Sequence, residues 1–246
     1  MVAQLTTFAF HGVEARPVTV QVQISGGANH FAIVGLPDKA VSEARERVKS
    51  ALCAIGLGLP AKRVTVNLAP ADLPKEGGHF DLAIALGLLI EMGAAPRDAA
   101  DGFAVIGELG LDGSIAPVAG ALPAAIAANG RDLGLICPAA CGPEAAWASD
   151  EMNILAPKSL IQLVNHFKGV QVLTPPAPGA AETSCDAPDI KDVKGQESAK
   201  RALEAAAAGG HNLLMVGPPG AGKSMLAKRL PGLLPSLTPQ EMLGIR

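Results

Sequence analysis

"HNLLMVGPPGAGKSMLAKRL", His211–Leu230, decides how this chain is read. Its apolar start, His211–Gly217, predicts a buried strand. Gly217–Ser224 then fits G-x-x-x-x-G-K-[ST], and "KSMLAKRL" predicts a helix broken by Pro231 and Gly232. Each part of that pattern has a physical reason. Gly217, Gly220 and Gly222 are expected to turn the backbone with positive φ and let it approach phosphate closely. With Pro218, Pro219 and Ala221 they form a loop whose successive N–H groups point into one concavity. The positive end of the next helix faces the same anion. Lys223 is placed to reach the β- and γ-phosphates and Ser224 to offer its hydroxyl to Mg²⁺, so ATP with Mg²⁺ is the expected ligand. A chance glycine turn would match the letters alone. A strand before and a helix after are the context that the mechanism requires.

Hydrolysis needs more than this loop: an acidic pair at the end of a neighbouring strand, one carboxylate for Mg²⁺ and one for water. The 22 residues after Ser224 hold one acid, Glu241, and no strand ending in Asp-Glu. No catalytic residue is identifiable, and an arginine finger is unplaced although Arg246 is present. One strand with two helices buries too little surface to stand alone. The expectation is a chain that forms the front part of a longer protein.

Working back from the loop, "GQESAKRALEAAAAGG" predicts a helix of strong helix formers closed by Gly209 and Gly210. Before it, "TPPAPGAAETSCDAPD", Thr174–Asp189, has no hydrophobic period and reads as a linker. Three segments result: a domain over 1–172, a linker over 173–189, and the beginning of a nucleotide-binding α/β domain over 190–246. The first domain alternates strands and helices. Strands are expected at Val18–Ile24, Phe31–Leu36, Arg63–Leu68 and Phe103–Leu109, with two short ones in "LGLICP" and "MNILAP". Asp38 is placed to cap a helix whose apolar positions are Val41, Ala44, Val48, Leu52 and Ile55, with Gly56 as its stop. Further helices are expected over Asp81–Met92, Gly120–Gly130, just before "MNILAP", and over Lys158–Phe167. The class is mixed α/β.

Composition narrows the function. Hydrophobic residues make up 49% but aromatics only 3%, so the core is aliphatic. A net charge of −3 supplies no global basic field for nucleic acid. "LAIALGLLI", Leu82–Ile90, is about half the ~18–20 residues of a membrane span. "MVAQLTTFAF" does not read as a secretory leader, and Cys53, Cys137, Cys141 and Cys185 lack the partners of a zinc set. Reduced thiols in the cytoplasm are expected.

Two polar clusters have competing readings. "KEGGHFD", Lys75–Asp81, fits a metal or acid–base loop, or a tight turn in which Asp81 caps the following helix; the turn is the plainer account. Lys39, Arg45, Arg47 and Lys49, with Lys62 and Arg63 beyond, could track a phosphate backbone or form a solvated face. The Glu43–Arg47 spacing of i,i+4 and the presence of Glu46 favour the solvated face.

Four stretches together resemble the ComM/YifB family of magnesium-chelatase-like AAA+ ATPases: Val34–Leu52, Asn67–Leu89, Gly107–Ala125 and Asp192–Pro235. The resemblance covers nearly the whole chain. It implies a Lon-protease-like α+β domain followed by the start of an AAA+ module. It also implies a homo-oligomeric ring, commonly hexameric, and ATP-driven work on DNA, with branch migration in natural transformation as the family role. Asp192–Gln196 matches a segment near the adenine in similar modules. A Lon-type peptidase would need a serine in the loop matching Pro74–His79 and a lysine after Pro117–Ala121; both are absent. Two alternatives stay beside the DNA motor: a binding or assembly module that does not hydrolyse ATP, and an ATP-dependent protease.

Overall fold

The computed structural model describes residues 2–179 and 188–234, and the chain divides into two compact units, 1–179 and 180–246. In the first unit β1 (Val2–His11) and β2 (Glu14–Ser25) form a long antiparallel hairpin. β3 (His30–Val34), α1 (Lys39–Ala54), β4 (Arg63–Ala69) and α2 (Asp81–Glu91) follow. Then come β5 (Phe103–Val105), β6 (Glu108–Leu109), β7 (Ile115–Ala116), α3 (Ala121–Asn129), β8 (Gly134–Ile136), α4 (Gly142–Ala145), β9 (Ile154–Leu155) and α5 (Leu160–Phe167). Seven strands make one sheet in the order β3-β4-β2-β1-β5-β8-β9, and β6 and β7 pair separately. β2 runs antiparallel to both its neighbours, β1 and β4, whereas β3-β4 and β1-β5-β8-β9 are parallel.

Burial follows that change of direction. On one face, Leu5, Val20, Val22, Val66 and Leu68 pack with α1 and α2. On the other, Ala104, Leu135 and Ile154 from the parallel half pack with α3 and α4, joined by Phe8 from β1. Alternate residues of the short parallel strands therefore serve two layers, as parallel strands usually do. β2 instead alternates buried valines with partly exposed Thr19 and Gln21.

The first helix follows its sequence closely. Asp38 accepts from Val41 N at 2.7 Å, and Val41, Ala44, Val48 and Leu52 are buried. α2 has no exposed face, with every residue from Asp81 to Ile90 buried. It lies close on the sheet because Gly87 has no side chain: a Cβ there would stand 2.6 Å from Val22 Cγ2 and 2.9 Å from Leu5 Cδ1.

Three expectations change. β1 is a ten-residue strand that the N-terminal sequence did not announce. Its core face includes Thr7, whose buried Oγ1 has no hydrogen-bond partner among the described residues, so the period-2 apolar pattern is broken. The strand expected over Phe103–Leu109 splits into β5 and β6. At the break Gly107 N donates to His79 O at 2.9 Å and Gly107 O accepts from Leu82 N at 2.9 Å, closing the start of α2 rather than a ladder. Residues 174–179 lie along the first unit, where Trp147 Nε1 donates to Gly179 O at 2.8 Å. The rest of the proline-rich segment, 180–187, lies outside the described residues.

In the second unit α6 (Glu197–Gly209) ends at left-handed Gly210, and α7 (Lys223–Ala227) is followed by a 3-10 turn over Leu230–Leu233. His211–Gly217 corrects the expected buried strand. It has no regular structure, and Leu214 and Val216 are 86% and 85% exposed. A strand needs a neighbour to take its N–H and C=O groups, and the described residues of this unit supply none.

Candidate functional site

The glycine loop forms a small concavity of about 340 Å³ lined by Pro219–Met225. Gly220 and Gly222 have φ of +80° and +82°, as the bend requires; Gly217 is not left-handed and instead supplies a carbonyl. Lys223 Nζ folds over the loop and donates to Gly217 O at 2.7 Å and Pro218 O at 2.8 Å. Its ammonium is thereby held at the mouth of the concavity by two neutral acceptors. Ser224 is exposed one residue into α7. The arrangement fits a polyphosphate: it offers a fixed cation, a hydroxyl and backbone clear of side chains.

Gln196 is a component that sequence reasoning did not assign to the loop. Its Nε2 donates to Ala221 O at 3.3 Å, and a Cβ at Gly222 would stand 2.9 Å from the same nitrogen. Gln196 itself has φ +57°, a conformation uncommon for a side chain of its size. The sequence signals were its place in the Asp192–Gln196 segment and at the head of a helix, where Asp or Ser is the usual choice.

The Lys75–Asp81 loop is more buried than its composition suggests. Lys75 is fully buried, with Nζ donating to Pro70 O and its backbone N and O bonded to Leu36 O and Asp38 N. Burial holds the Lys75 ammonium below its ordinary value. Asp81 corrects the expected cap. It is the first residue of α2, and its carboxylate makes no cap bond but accepts Arg47 Nε at 2.5 Å, Arg47 Nη2 at 3.0 Å and Leu109 N at 3.2 Å. Burial pushes the Asp81 carboxyl up, against the pull of Arg47. The cap bonds belong to Asp38, which also receives Gly77 N at 3.3 Å.

Arg47 therefore leaves the basic group on α1. Glu43 pairs with Lys39 at 3.8 Å rather than with Arg47, and Arg45 pairs with Glu46 at 3.1 Å. Lys49, Lys62 and Arg63 are exposed, as a solvated face requires. Cys137 is buried, which pushes its thiol up to about 12. Cys141 Sγ donates to Val118 O at 3.5 Å, and no cluster of three metal-ligating side chains occurs among the described residues. No helix among them is long and apolar enough to cross a membrane.

Comparison with known proteins agrees with the resemblance. Residues 20–140 match the family model described as subunit ChlI of Mg-chelatase, and residues 189–246 match magnesium chelatase, subunit ChlI. Competence protein ComM of Haemophilus influenzae is 44% identical over 94% of this chain and 46% of its own length. The uncharacterized protein YifB of Escherichia coli is 44% identical over 96% of this chain and 47% of its own, and YifB of Salmonella typhimurium is 43% identical over the same shares. The chain thus spans about half the length of the curated relatives it matches. With both of its parts matched, the chain belongs to the ComM/YifB family of magnesium-chelatase-like AAA+ ATPases.

Proposed function

We propose that this chain carries the first part of an ATP-driven motor of the ComM type, in which Gly217–Ser224 holds the phosphates of ATP. The observation that carries this reading is Lys223, poised over left-handed Gly220 and Gly222 with two carbonyls as its acceptors among the described residues. Phosphate oxygens are stronger acceptors for an ammonium than neutral carbonyls, so Lys223 exchanges partners with little movement of its stem. Gln196 keeps Ala221 in place, and Ser224 is the residue that would hold Mg²⁺. ATP bound there supplies the free energy of its phosphoanhydride bond. The organisation proposed is a Lon-protease-like domain over 1–172, a linker over 173–189 and the AAA+ start over 190–246. In the full-length protein the partners proposed are further copies in a hexameric ring and DNA, with branch migration in transformation as the work done, in the cytoplasm. The competence protein ComM among the relatives supports the transformation role.

A second reading has its own support. Exposed Leu214 and Val216, next to the loop, favour a binding or assembly module that does not turn ATP over by itself. Titration with a fluorescent ATP analogue tests the shared core of both. Lys223→Ala is expected to weaken binding at least about tenfold, the loss of roughly one charge-assisted hydrogen bond. Affinity unchanged by that substitution removes the phosphate loop. Steady-state turnover by the full-length protein with branched DNA, lost in Lys223→Ala, selects the motor over the module.

A further inference from the structure

The sheet of the first unit ends at β3, which has β4 on one side and no strand among the described residues on the other. In a strand paired on one side only, alternate residues aim their N–H and C=O groups outward. Among the described residues, His30–Val34 make no backbone hydrogen bond except to β4. Such edges are usually blunted by a lysine, a proline or a bulge within the strand. β3 reads HFAIV and carries no lysine or proline. Its five residues also pair one to one with β4, without a bulge.

The free edge is also one wall of a groove. Two adjoining clefts, of about 260 and 450 Å³, share His30, Phe31 and Arg45. The strand wall holds His30–Ile33, so the groove follows β3 for about four residues, roughly 13 Å. The opposite wall is α1, through Ser42, Arg45, Lys49 and Cys53. Steps of three, four and four residues place those four on one stripe of the helix. Charge supplies a further observation. The chain as a whole is at −3, yet Arg45 and Lys49 line this groove, Arg63 pairs with His30 from β4, and Lys62 precedes it. Glu46, the acid in the lining, is already bonded to Arg45 at 3.1 Å. Lys49, Lys62 and Arg63 make no ion pair among the described residues.

We propose that this groove takes up an extended, acidic segment of another protein, which adds to β3 as one more strand. The main chain of the segment satisfies the outward N–H and C=O groups and supplies affinity. Phe31 and Ile33 pack into the core that α1 covers, so alternate side chains of the added strand rise on that same side, against Arg45 and Lys49. Acidic residues are therefore expected at every second position. A second copy of β3 fits less well, because it brings two sets of Arg45 and Lys49 together. Nucleic acid could use the cations but offers no row of alternating donors and acceptors at strand spacing. The inference is independent of the nucleotide loop.

The test uses the 246-residue chain at 0.15 M salt, where diffuse attraction to its cations is screened. The probe is fluorescein-labelled Thr-Glu-Val-Glu-Val-Glu-Thr. Its binding is read by anisotropy, and hydrogen exchange is followed over residues 28–36. Expected are a dissociation constant at or below about 0.1 mM and slower exchange of the His30–Val34 amides when the peptide is bound. The peptide with Gln for Glu is expected to bind at least about tenfold more weakly, and Lys49→Glu to weaken the probe about tenfold. Lys49 is exposed and makes no ion pair among the described residues, so its replacement leaves the fold intact. N-methylation separates strand pairing from charge. Alternate amides of an added strand face β3, so methylating either the Glu amides or the Val amides should abolish binding, and methylating the other set should spare it. Weaker binding than that, equal binding of the Gln peptide, equal effects of the two methylations, or unchanged exchange over His30–Val34 overturns the proposal. Preferential binding of a short oligothymidylate assigns the cations to nucleic acid. Protection of β3 that rises with protein concentration alone assigns the edge to a second copy. Either result also overturns it.

Discussion

Replacing Arg47 by Met tests whether the first unit is held by a buried ion pair. Methionine keeps most of the apolar stem and removes the two bonds to Asp81, at 2.5 and 3.0 Å. The fully buried carboxylate then keeps one donor, Leu109 N at 3.2 Å. Breaking a buried pair on one side costs about 3–5 kcal/mol, against roughly 1 kcal/mol at most for an exposed pair. The Arg47 side chain is 20% exposed, so some water reaches the gap and the expected loss sits near the lower end, about 3 kcal/mol. In Arg47→Met/Asp81→Leu the lone charge is gone and what remains is mainly an unpaired Leu109 N–H, about 1–2 kcal/mol. Urea unfolding followed by the chain's single tryptophan reads this unit alone, since Trp147 lies within it. A loss below about 1 kcal/mol in Arg47→Met, or a double-mutant coupling near zero, refutes the reasoning. Acid supplies a sign check. In the variant, burial raises the folded-state pKa of Asp81 above its unfolded value of 3.8, so the folded state binds more protons. The deficit should be full above that raised pKa and shrink as pH falls towards 3.8.

His79 acts in the opposite direction. Its folded-state pKa lies below the ordinary 6.5, so its contribution to stability is lost as pH falls from 6.5 towards the folded value, at about 1.4 kcal/mol per unit of separation. Melting temperatures between neutral and mildly acidic pH should fall more steeply for the native chain than for His79→Gln; parallel curves would contradict its burial as the neutral form. Thr7→Val removes a buried hydroxyl with no partner among the described residues and should stabilise the unit by about 1 kcal/mol in the same urea assay. A loss of stability there would mean that the hydroxyl is satisfied after all. Gly87→Ala raises helix propensity but drives a methyl group to within 2.6 Å of Val22 Cγ2, and a net loss of about 1–2 kcal/mol is expected. A more stable protein would show that α2 can lift from the sheet.

What the sequence made legible was local. α1 could be bounded from Asp38 and Gly56 because a cap and a stop act within one turn. A continuous apolar run likewise placed α2. The partner of Arg47 was not legible. Glu43 stood four residues away and satisfied the local rule, whereas Asp81 stands 34 residues away. The burial of Lys75 and His79 was hidden for the same reason: it depends on loops closed by Asp38 and Phe8, far along the chain. His211–Gly217 failed differently. Its residues suit a strand, but pairing belongs to neighbours and not to the segment. The glycine loop was readable in letters, and Gln196 became part of it only in three dimensions.

The enclosure of α2 sets how this unit breathes. With every residue from Asp81 to Leu89 buried and Ile90 only 9% exposed, its amides have little surface fluctuation through which to trade hydrogen for deuterium. They should be the last in the unit to exchange, and their rate should report its complete opening. α1, solvated along one side, should exchange through smaller openings. The slowest clock in this molecule is therefore a helix of small aliphatic residues that begins two residues after His79.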